Sequence, residues 1–363
     1  MIYYVSECQT YLDTRRHAGP KARKDLEEIF GECGYQRLVL SDSEVERDNL
    51  NYAQKLLMHV KIMGMWRKAT AGLKKGDTLV IQFPSAGHSI LLFTLLRKLR
   101  RKGVDIVFII HDLEMLRRSQ RKDVKKIVKI RTDLEDKECL KQATKIIAHN
   151  DYMSRRLIRE QIDSDKLISL EIFDYLVDDF DQERFDAKVL GKDLPVIIAG
   201  NLKPHKAAYV YKLDGIYPFN LFGNGYEGGT SEYIRYLGER DAEELPYELT
   251  GSFGLVWDGE TTDTCSGVYG SYLKINNPHK TSLYLASGIP IIIWKKAALA
   301  RFVRKYRCGL TVESLEELPE QIGALSEEDY EKMRTNAEKV GKLLRSGTFT
   351  RKALAKAGLL DQA

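Results

Sequence analysis

A lysine and a threonine occur at the predicted start of one helix in the C-terminal half of the chain. The segment reads LKINNPHKTSLYLASGIPIIIW. Asn276 or Asn277 suits the N-cap, and Pro278 suits the first helical position. Lys280 and Thr281 then fall in the first turn, beside backbone N–H groups and the positive end of the helix dipole. A lysine there is unfavourable unless an anion balances it. The pattern therefore predicts an anion site, and a solvated surface lysine is the alternative.

Glycines and small polar residues end three predicted strands of the same half. They are Gly200-Asn201, Gly223-Asn224-Gly225 and Asp258-Gly259. The carboxyl ends of parallel strands meet at one sheet edge, which is also where the Lys280 helix begins. Glycine lets a ligand approach the backbone, although each group taken alone is better explained as a turn. Together they predict a site for a phosphorylated nucleotide. The P-loop sequence G-x-x-x-x-G-K-[ST] is absent, and a G-x-G-x-x-G dinucleotide fingerprint is not expected either.

His111 and Asp112 are the acid/base candidates of the N-terminal half. They follow the apolar segment Val104 to Ile110, which predicts a buried strand with both residues at its carboxyl end. Histidine titrates near neutral pH and can act as a general base. Alternatively, Asp112 caps the next helix. His17 and His88 lie in loops after other predicted strands and are further candidates.

Composition limits the class of protein. A chain of 363 residues exceeds one typical core and predicts two domains. The net charge of +5 (57 − 52) does not by itself indicate nucleic acid. Five scattered cysteines without a C-x-x-C pair favour a reducing compartment and no zinc site. No secretory signal and no run of roughly 20 apolar residues is visible, so we expect a cytoplasmic protein.

Strands alternate with helices along both halves, which predicts an α/β protein with doubly wound parallel sheets. The acidic stretch 178–184 looks like a linker. We therefore expect an N-terminal domain over 1–178 and a C-terminal domain over 185–345. A final helix over 346–363 is expected to return to the N-terminal domain.

Two charged patterns have simple explanations. Asp179 and Asp181 imitate the D-x-D pair that holds a divalent metal in some sugar transferases, but a solvated linker is favoured. A basic stripe over 117–131 would suit anionic lipid headgroups or a polyphosphate-linked acceptor, and a solvated helix face is equally consistent. Nucleic acid is disfavoured because no aromatic residues alternate with these charges. The stripe comprises Arg117, Arg118, Arg121, Lys122, Lys125, Lys126, Lys129 and Arg131.

Three segments resemble a bacterial sugar-transferase family of GT-B architecture, in which two Rossmann-like domains face a cleft. They are Gly251-Ser-Phe-Gly-Leu-Val-Trp-Asp258, Asn277-Pro-His-Lys280 and Ser287-Gly-Ile-Pro290. His111-Asp112 and Phe349-Thr350-Arg351 also match. The family includes glucosyltransferases that extend glycans on serine-rich adhesins and β-1,6-galactofuranosyltransferases of surface-polysaccharide synthesis.

The resemblance implies a UDP-sugar donor in the C-terminal domain. On this basis Gly200, Asn201 and either Lys203 or Lys206 form the first phosphate or nucleotide loop. Asn224 and Tyr226 lie near the base, Asp258 and Asn277 belong to the same site, and Lys280 and Thr281 bind the diphosphate. Gly19 resembles a glycine loop of the N-terminal domain that faces the donor phosphate. The resemblance also suggests a homo-oligomer.

The chain departs from the wider GT-B pattern at one point. Many retaining members carry two glutamates eight positions apart, and the matching positions here are approximately Ile275 and Leu283. A retaining mechanism therefore cannot be inferred from that motif, and ribose recognition must come from elsewhere.

The sequence thus predicts a cytoplasmic transferase that moves a hexose, galactofuranose or glucose, from a UDP-sugar to a hydroxyl of a glycan or lipid-linked glycan. No metal and no cofactor is expected, and contact with a membrane surface would involve 117–131. Two alternatives remain: a sugar-nucleotide epimerase of the same build, and a non-catalytic UDP-binding subunit of another transferase. The hexose, the acceptor and the stereochemical outcome are not determined by the sequence.

Overall fold

The computed structural model describes residues 1–7, 18–40, 51–85, 89–118 and 130–361. The chain divides into two compact units. Unit 1 contains the described residues of Met1–Leu12, Leu26–Leu170 and Arg351–Ala363, and unit 2 contains those of Asp13–Asp25 and Glu171–Thr350. The described residues of 18–25, at the start of the first helix, therefore belong to the same unit as the C-terminal sheet. The boundary between the units in the middle of the chain falls between residues 170 and 171, ahead of the acidic segment 178–184.

Parallel strands form the sheet of unit 1 in the order β2-β1-β3-β4-β5-β6. The strands are β1 (Ile2–Glu7), β2 (Gln36–Leu40), β3 (Thr78–Phe83), β4 (Asp105–Ile110), β5 (Lys145–Ala148) and β6 (Leu167–Ser169). The helices that connect them are α1 (Ala18–Glu32), α2 (Tyr52–Ala69), α3 (Leu92–Arg101), α4 (Glu114–Arg118), α5 (Glu138–Leu140) and α6 (Asp151–Arg159), with a π-helical turn at Asp133–Lys137. The apolar strands β3 and β4 are buried at the centre of this sheet, as expected for a parallel sheet covered on both faces.

A second parallel sheet lies in unit 2, in the order β12-β11-β10-β7-β8-β9. Its strands are β7 (Val196–Ala199), β8 (Phe219–Phe222), β9 (Ile234–Tyr236), β10 (Gly254–Val256), β11 (Ile291–Trp294) and β12 (Gly309–Val312). Three of them, β7, β8 and β10, are followed by the glycine and small polar residues that the sequence analysis singled out. Each sheet, with its helices, confirms the doubly wound α/β prediction.

Helices of unit 2 follow the same alternation. They are α7 (Gln182–Asp186), α8 (Pro204–Ala207), α9 (Leu245–Glu248), α10 (Gly267–Tyr272), α11 (His279–Ala286), α12 (Ala300–Tyr306), α13 (Leu318–Gly323) and α14 (Glu327–Arg345). The last helix, α15 (Thr348–Lys356), begins in unit 2, and its residues from Arg351 onwards belong to unit 1. Single 3-10 turns occur at Ser164–Lys166 in unit 1 and at Ala208–Lys212 and Leu315–Glu317 in unit 2. The segment 178–184 is not simply a linker, because Asp181 caps α7 by accepting a hydrogen bond from the Arg184 N–H at 3.0 Å.

Helix α11 is almost completely buried, and one tyrosine fixes it on the sheet. The Tyr284 hydroxyl oxygen accepts a hydrogen bond from the Ala199 N–H at 2.7 Å, at the carboxyl end of β7. Its ring lies on Gly254 of β10, where an added Cβ would lie 2.1 Å from the ring atom Cγ. The absence of a side chain at Gly254 therefore lets α11 pack directly on β10, the strand that precedes Asp258.

The end of α11 agrees with the sequence prediction. Gly288 follows the helix with φ 69°, a conformation that glycine adopts at little cost. Two basic side chains satisfy carbonyl groups at this helix end: Lys188 donates to the Ser287 oxygen and Arg345 to the Ala286 oxygen. The positive charge of Arg345 at the helix C-terminus also complements the dipole.

Gly254→Ala should destabilise unit 2, because the new methyl group would overlap the Tyr284 ring. We expect a loss of about 1–3 kcal/mol in the free energy of unfolding, the usual cost of overpacking a core. Gly323→Ala is the matched control. This glycine lies in α13 with no atom within 4 Å of an added Cβ, so the same change should be neutral or slightly stabilising. Urea denaturation measures both, and equal effects would contradict this packing account.

Candidate functional site

The strand order of unit 2 places a crevice between β7 and β10. If β7 is counted as strand 1, the strand order is 3-2-1-4-5-6, which is that of a Rossmann sheet. After β7 the chain adds strands towards one edge of the sheet, and from β10 onwards it adds them towards the other edge. Ligands of such sheets bind outside the carboxyl ends of the strands at this switch point. The residues there are Gly200-Asn201 after β7 and Trp257-Asp258 after β10. The geometry therefore brings two of the predicted strand ends to the position where a nucleotide is expected.

The loops after β7 and β8 are joined through their glycines. An added Cβ at Gly223 would lie 1.8 Å from the Gly200 carbonyl oxygen, so only glycine permits this approach. The Leu202 N–H donates to the Asn224 carbonyl at 2.9 Å. Asn201 accepts a hydrogen bond from the Lys203 N–H at 3.0 Å through its side chain. The two loops thus form one backbone surface beside the switch point.

Lys203 and Lys206 differ in exposure on this surface. Lys203 is the N-cap residue of the short helix α8 and is exposed, whereas Lys206 is half-buried. The aliphatic part of Lys203 lies over Gly225, where an added Cβ would be 2.3 Å from its Cγ. Lys203 is therefore the more accessible of the two cations at this edge.

Tyr226 belongs to a group of three aromatic rings, of which two follow β7 and β8 and the third is the last residue of β9. Its ring centroid lies 5.5 Å from that of Tyr211 and 5.2 Å from that of Tyr236. The segment Gly223-Asn-Gly-Tyr-Glu-Gly228 has the G-x-G-x-x-G spacing, so the expectation that this spacing is absent is wrong. The next element is strand β9 rather than a helix, so the segment lacks the helix start that a dinucleotide fingerprint requires.

Lys280 does not point freely into solvent, because it forms an ion pair with Asp258. Its Nζ lies 2.9 Å from Asp258 Oδ1 and 3.0 Å from the Trp257 carbonyl oxygen. The two charged side chains are 18% and 13% exposed. An ammonium group has three N–H donors, so one remains for a ligand. The contact joins the start of α11 to the residues that follow β10. The negative charge of Asp258 balances the positive charge of Lys280, which is otherwise unfavourable beside the positive end of the helix dipole.

The start of α11 differs from the sequence prediction by one residue. Pro278 is the N-cap, with φ −66° and ψ 128°, and His279 is the first helical residue. The predicted N-cap role of Asn276 or Asn277 is therefore wrong. Asn277 is buried, and its side chain donates to the Glu171 carbonyl at 3.2 Å. Thr281 is also completely buried, so Lys280 is the accessible side chain of the first turn.

His279 is a residue that the sequence reasoning missed. Its ring is stacked on Tyr175 with the centroids 5.1 Å apart. Burial, with a smaller contribution from the charge of Lys21, lowers the pKa of His279 to about 4. The imidazole is therefore neutral near pH 7, and it supports the start of α11 by packing. A single histidine between polar and apolar residues does not indicate, from the sequence alone, that its ring is buried against an aromatic side chain.

Gly19 lies in the first turn of α1 rather than in an open loop. The same helix carries a buried cluster of charges within unit 2. Lys21 Nζ lies 2.7 Å from Asp25 and 3.1 Å from Glu243. Asp25 also accepts a hydrogen bond from the Leu176 N–H at 3.1 Å. These contacts anchor the start of α1 beside Tyr175, whose ring lies 5.1 Å from Lys21 Nζ.

In unit 1, His111 and Asp112 follow β4 as predicted, but their side chains have different surroundings. Asp112 accepts hydrogen bonds from the Leu113 N–H and from Arg117, both at 2.9 Å. Its two carboxylate oxygens are thus committed to the helix start and to an ion pair. His111 Nε2 lies 2.6 Å from Gln82 Oε1 of β3. Both candidate side chains are thus hydrogen-bonded at the end of β4.

Several candidates lie outside the described residues, namely His17, His88 and the part of the basic stripe over 119–129. Arg117 forms ion pairs with Asp112 and Glu114. Within the described ranges, no helix combines the length and apolar content needed to cross a bilayer. Among the same residues, no group of three or more histidine, cysteine or carboxylate side chains is arranged to hold a metal ion.

Two doubly wound parallel sheets, one of them with a Rossmann switch point, are the architecture of the GT-B glycosyltransferases. Residues 3–172 match the N-terminal domain of the glucosyltransferase 3-like family, and residues 196–357 match its C-terminal domain. The chain belongs to this family.

Individual similar proteins agree with this assignment. The chain is 36% identical to the beta-1,6-galactofuranosyltransferase WbbI of Escherichia coli (strain K12), over 94% of each chain. Among solved structures, sucrose-phosphate synthase from Thermosynechococcus elongatus superimposes with a TM-score of 0.61, at 13% identity, over 98% of this chain and 97% of that one. The UDP-forming alpha,alpha-trehalose-phosphate synthase from Burkholderia vietnamiensis gives 0.60, at 11% identity, over 99% and 98%. At such identities the two structures show the fold alone.

His279→Phe should reduce the loss of stability in acid. The pKa of His279 is about 4 in the folded protein and about 6.5 when unfolded, so only the unfolded chain takes up this proton between those values. Stability is therefore lost as the pH falls from 6.5 towards 4. Between pH 7 and 5 the variant should lose about 2 kcal/mol less than the wild type.

Urea denaturation at both pH values measures this difference. The exposed His205→Phe is the matched control and should keep the wild-type pH dependence. An unchanged pH dependence in His279→Phe would show that this ring is protonated equally in both states.

Proposed function

We propose that this protein transfers a hexose from a UDP-sugar to a hydroxyl group of a glycan acceptor. The observation that carries the proposal is the position of Lys280, at the N-terminus of a buried helix and beside the switch point of a Rossmann sheet. Backbone N–H groups, the helix dipole and one ammonium donor converge there. A nucleoside diphosphate is the anion that suits such an edge.

In the proposed reaction, the acceptor oxygen forms a bond to the anomeric carbon while the bond to the diphosphate breaks. Negative charge develops on the departing UDP. Lys280 and the start of α11 would stabilise that charge, which is the role a divalent metal plays in other transferases. Asp258 holds the ammonium group in place, so little reorganisation is needed when the charge appears.

The acceptor hydroxyl loses a proton, and in an inverting reaction a side chain of the protein would take it. His111 is the preferred base, because Asp112 forms an ion pair with Arg117 and accepts a hydrogen bond from the Leu113 N–H. A general base of this kind contributes roughly 10²- to 10⁴-fold to the rate. The stereochemical course itself is left open by the apolar residues at Ile275 and Leu283.

Galactofuranose is the first donor sugar to test, because the 36% identical relative is named a galactofuranosyltransferase. Glucose is the second, since the family is described as glucosyltransferase 3-like. UDP as the nucleotide is consistent with the UDP-forming synthase of similar fold. The predicted contact of 117–131 with a membrane, the cytoplasmic location and the homo-oligomer remain expectations from the sequence. A dependence of product formation on added acceptor separates transfer from epimerisation.

Lys280→Met should lower the turnover of UDP-sugar by about 10²- to 10³-fold, the typical effect of removing one donor to a developing anion. The measurement is release of UDP in the presence of acceptor. The matched control is Lys305→Met, which removes a more exposed lysine whose ion pair with Glu171 has nearly the same length, 3.0 Å. It should keep wild-type turnover. Equal turnover in Lys280→Met and the wild type would refute the role in leaving-group stabilisation.

A further inference from the structure

Helix α2 of unit 1 carries large apolar side chains on its exposed face. Leu56, Leu57 and Val60 are 61%, 68% and 57% exposed. The other face of the helix is buried, through residues that include Ile62 and Trp66. Apolar side chains that are scattered singly over a surface are ordinary, whereas an exposed group of them marks an interaction surface. Among the described residues, this face of α2 has no covering partner.

The chain that follows this face is strongly basic. Residues 61–105 contain ten lysine and arginine residues and two aspartates, which gives a net charge of +8 (10 − 2). The aspartates already have partners, because Asp77 pairs with the N-terminal amine and Asp105 pairs with Arg100. Exposed cations that form no ion pair with a described residue are Arg67, Lys68, Lys75, Lys98, Arg101 and Lys102.

The ends of α2 and α3 meet, so these cations belong to one surface. The Gly76 N–H donates to the Gly103 carbonyl at 2.9 Å. An added Cβ at Gly103 would lie 2.8 Å from Cγ of Lys75, which shows that this lysine packs on the turn after α3. Leu57 and Lys68 are separated by about three helical turns and therefore lie on the same face of α2. The apolar group and the cations thus form one continuous surface of unit 1.

We propose that this surface docks on a membrane that contains anionic lipids. The apolar side chains of α2 would enter the boundary between headgroups and acyl chains, while the cations contact lipid phosphates. A second copy of the chain is a less suitable occupant. Helix α2 contains four basic and no acidic residues, so two such helices would repel each other. The surface is separate from the stripe over 117–131, and the inference does not depend on the proposed transfer reaction.

Sedimentation of the full chain with lipid vesicles tests the proposal without any sugar donor. The protein should bind vesicles that contain phosphatidylglycerol at least about tenfold more tightly than vesicles of phosphatidylcholine alone. Added salt should weaken this binding, because exposed charges are screened. Equal binding to the two kinds of vesicle, or binding to neither, would overturn the proposal.

The role of the cations is tested by the combined change of Lys68, Lys75 and Lys98 to Gln. We expect roughly 100-fold weaker binding to the anionic vesicles, because each cation near such a surface contributes about fivefold. The matched control removes three lysines from α14, a helix with equal numbers of basic and acidic residues. These lysines are Lys332, Lys339 and Lys342, all exposed. The control should keep wild-type binding, and equal losses in the two triple variants would overturn a specific docking surface.

The role of the apolar side chains is tested by the combined change of Leu56, Leu57 and Val60 to Ser. Because all three are exposed, urea denaturation should show wild-type stability. Binding to the anionic vesicles should fall by at least about tenfold, and wild-type binding would overturn the insertion of α2. Analytical ultracentrifugation without lipid should give the same oligomeric state for this variant and the wild type. Loss of a dimer in the variant would show that the face joins two copies, and the membrane proposal would then fail.

Discussion

The ion pair between Lys280 and Asp258 is the contact on which the account of unit 2 depends. It joins the start of α11 to the end of β10, with a third partner in the Trp257 carbonyl. Two features bring these groups together: Tyr284 bonds to the end of β7, and Gly254 leaves room for its ring. Close packing of one helix on two strands therefore sets the position of the cation at the switch point.

The ion pair with Asp258 also changes the explanation for a lysine at the start of α11. A lysine at a helix start is unfavourable by itself, and the sequence argument assigned the compensating anion to a ligand. The structure shows that Asp258 supplies a compensating carboxylate within the chain. A bound diphosphate would then contact an ion pair without net charge, in which Lys280 has one N–H donor left for the ligand. The rest of the attraction would come from the backbone N–H groups of the helix start and from the loops after β7 and β8.

Sequence patterns predicted the sheets well because their strands are apolar runs bounded by glycine or polar residues, as in β4 and β11. They also predicted that strand ends such as Gly200-Asn201 share an edge with Lys280, since parallel topology requires it. They could not predict the N-cap at Pro278, which depends on burial of Asn277 against Glu171. The pairing of Gln82 with His111 was equally hidden, because contacts between neighbouring strands depend on register, which local periodicity does not specify.

Calorimetric titration of the wild-type protein with UDP and with uridine, in the absence of divalent metal, tests the central claim most directly. If the start of α11 is a diphosphate site, UDP should bind at least about tenfold more tightly than uridine, a difference of about 1.4 kcal/mol. The preference should weaken as salt is added, because an anion is being recognised. Equal affinities for UDP and uridine would contradict the account.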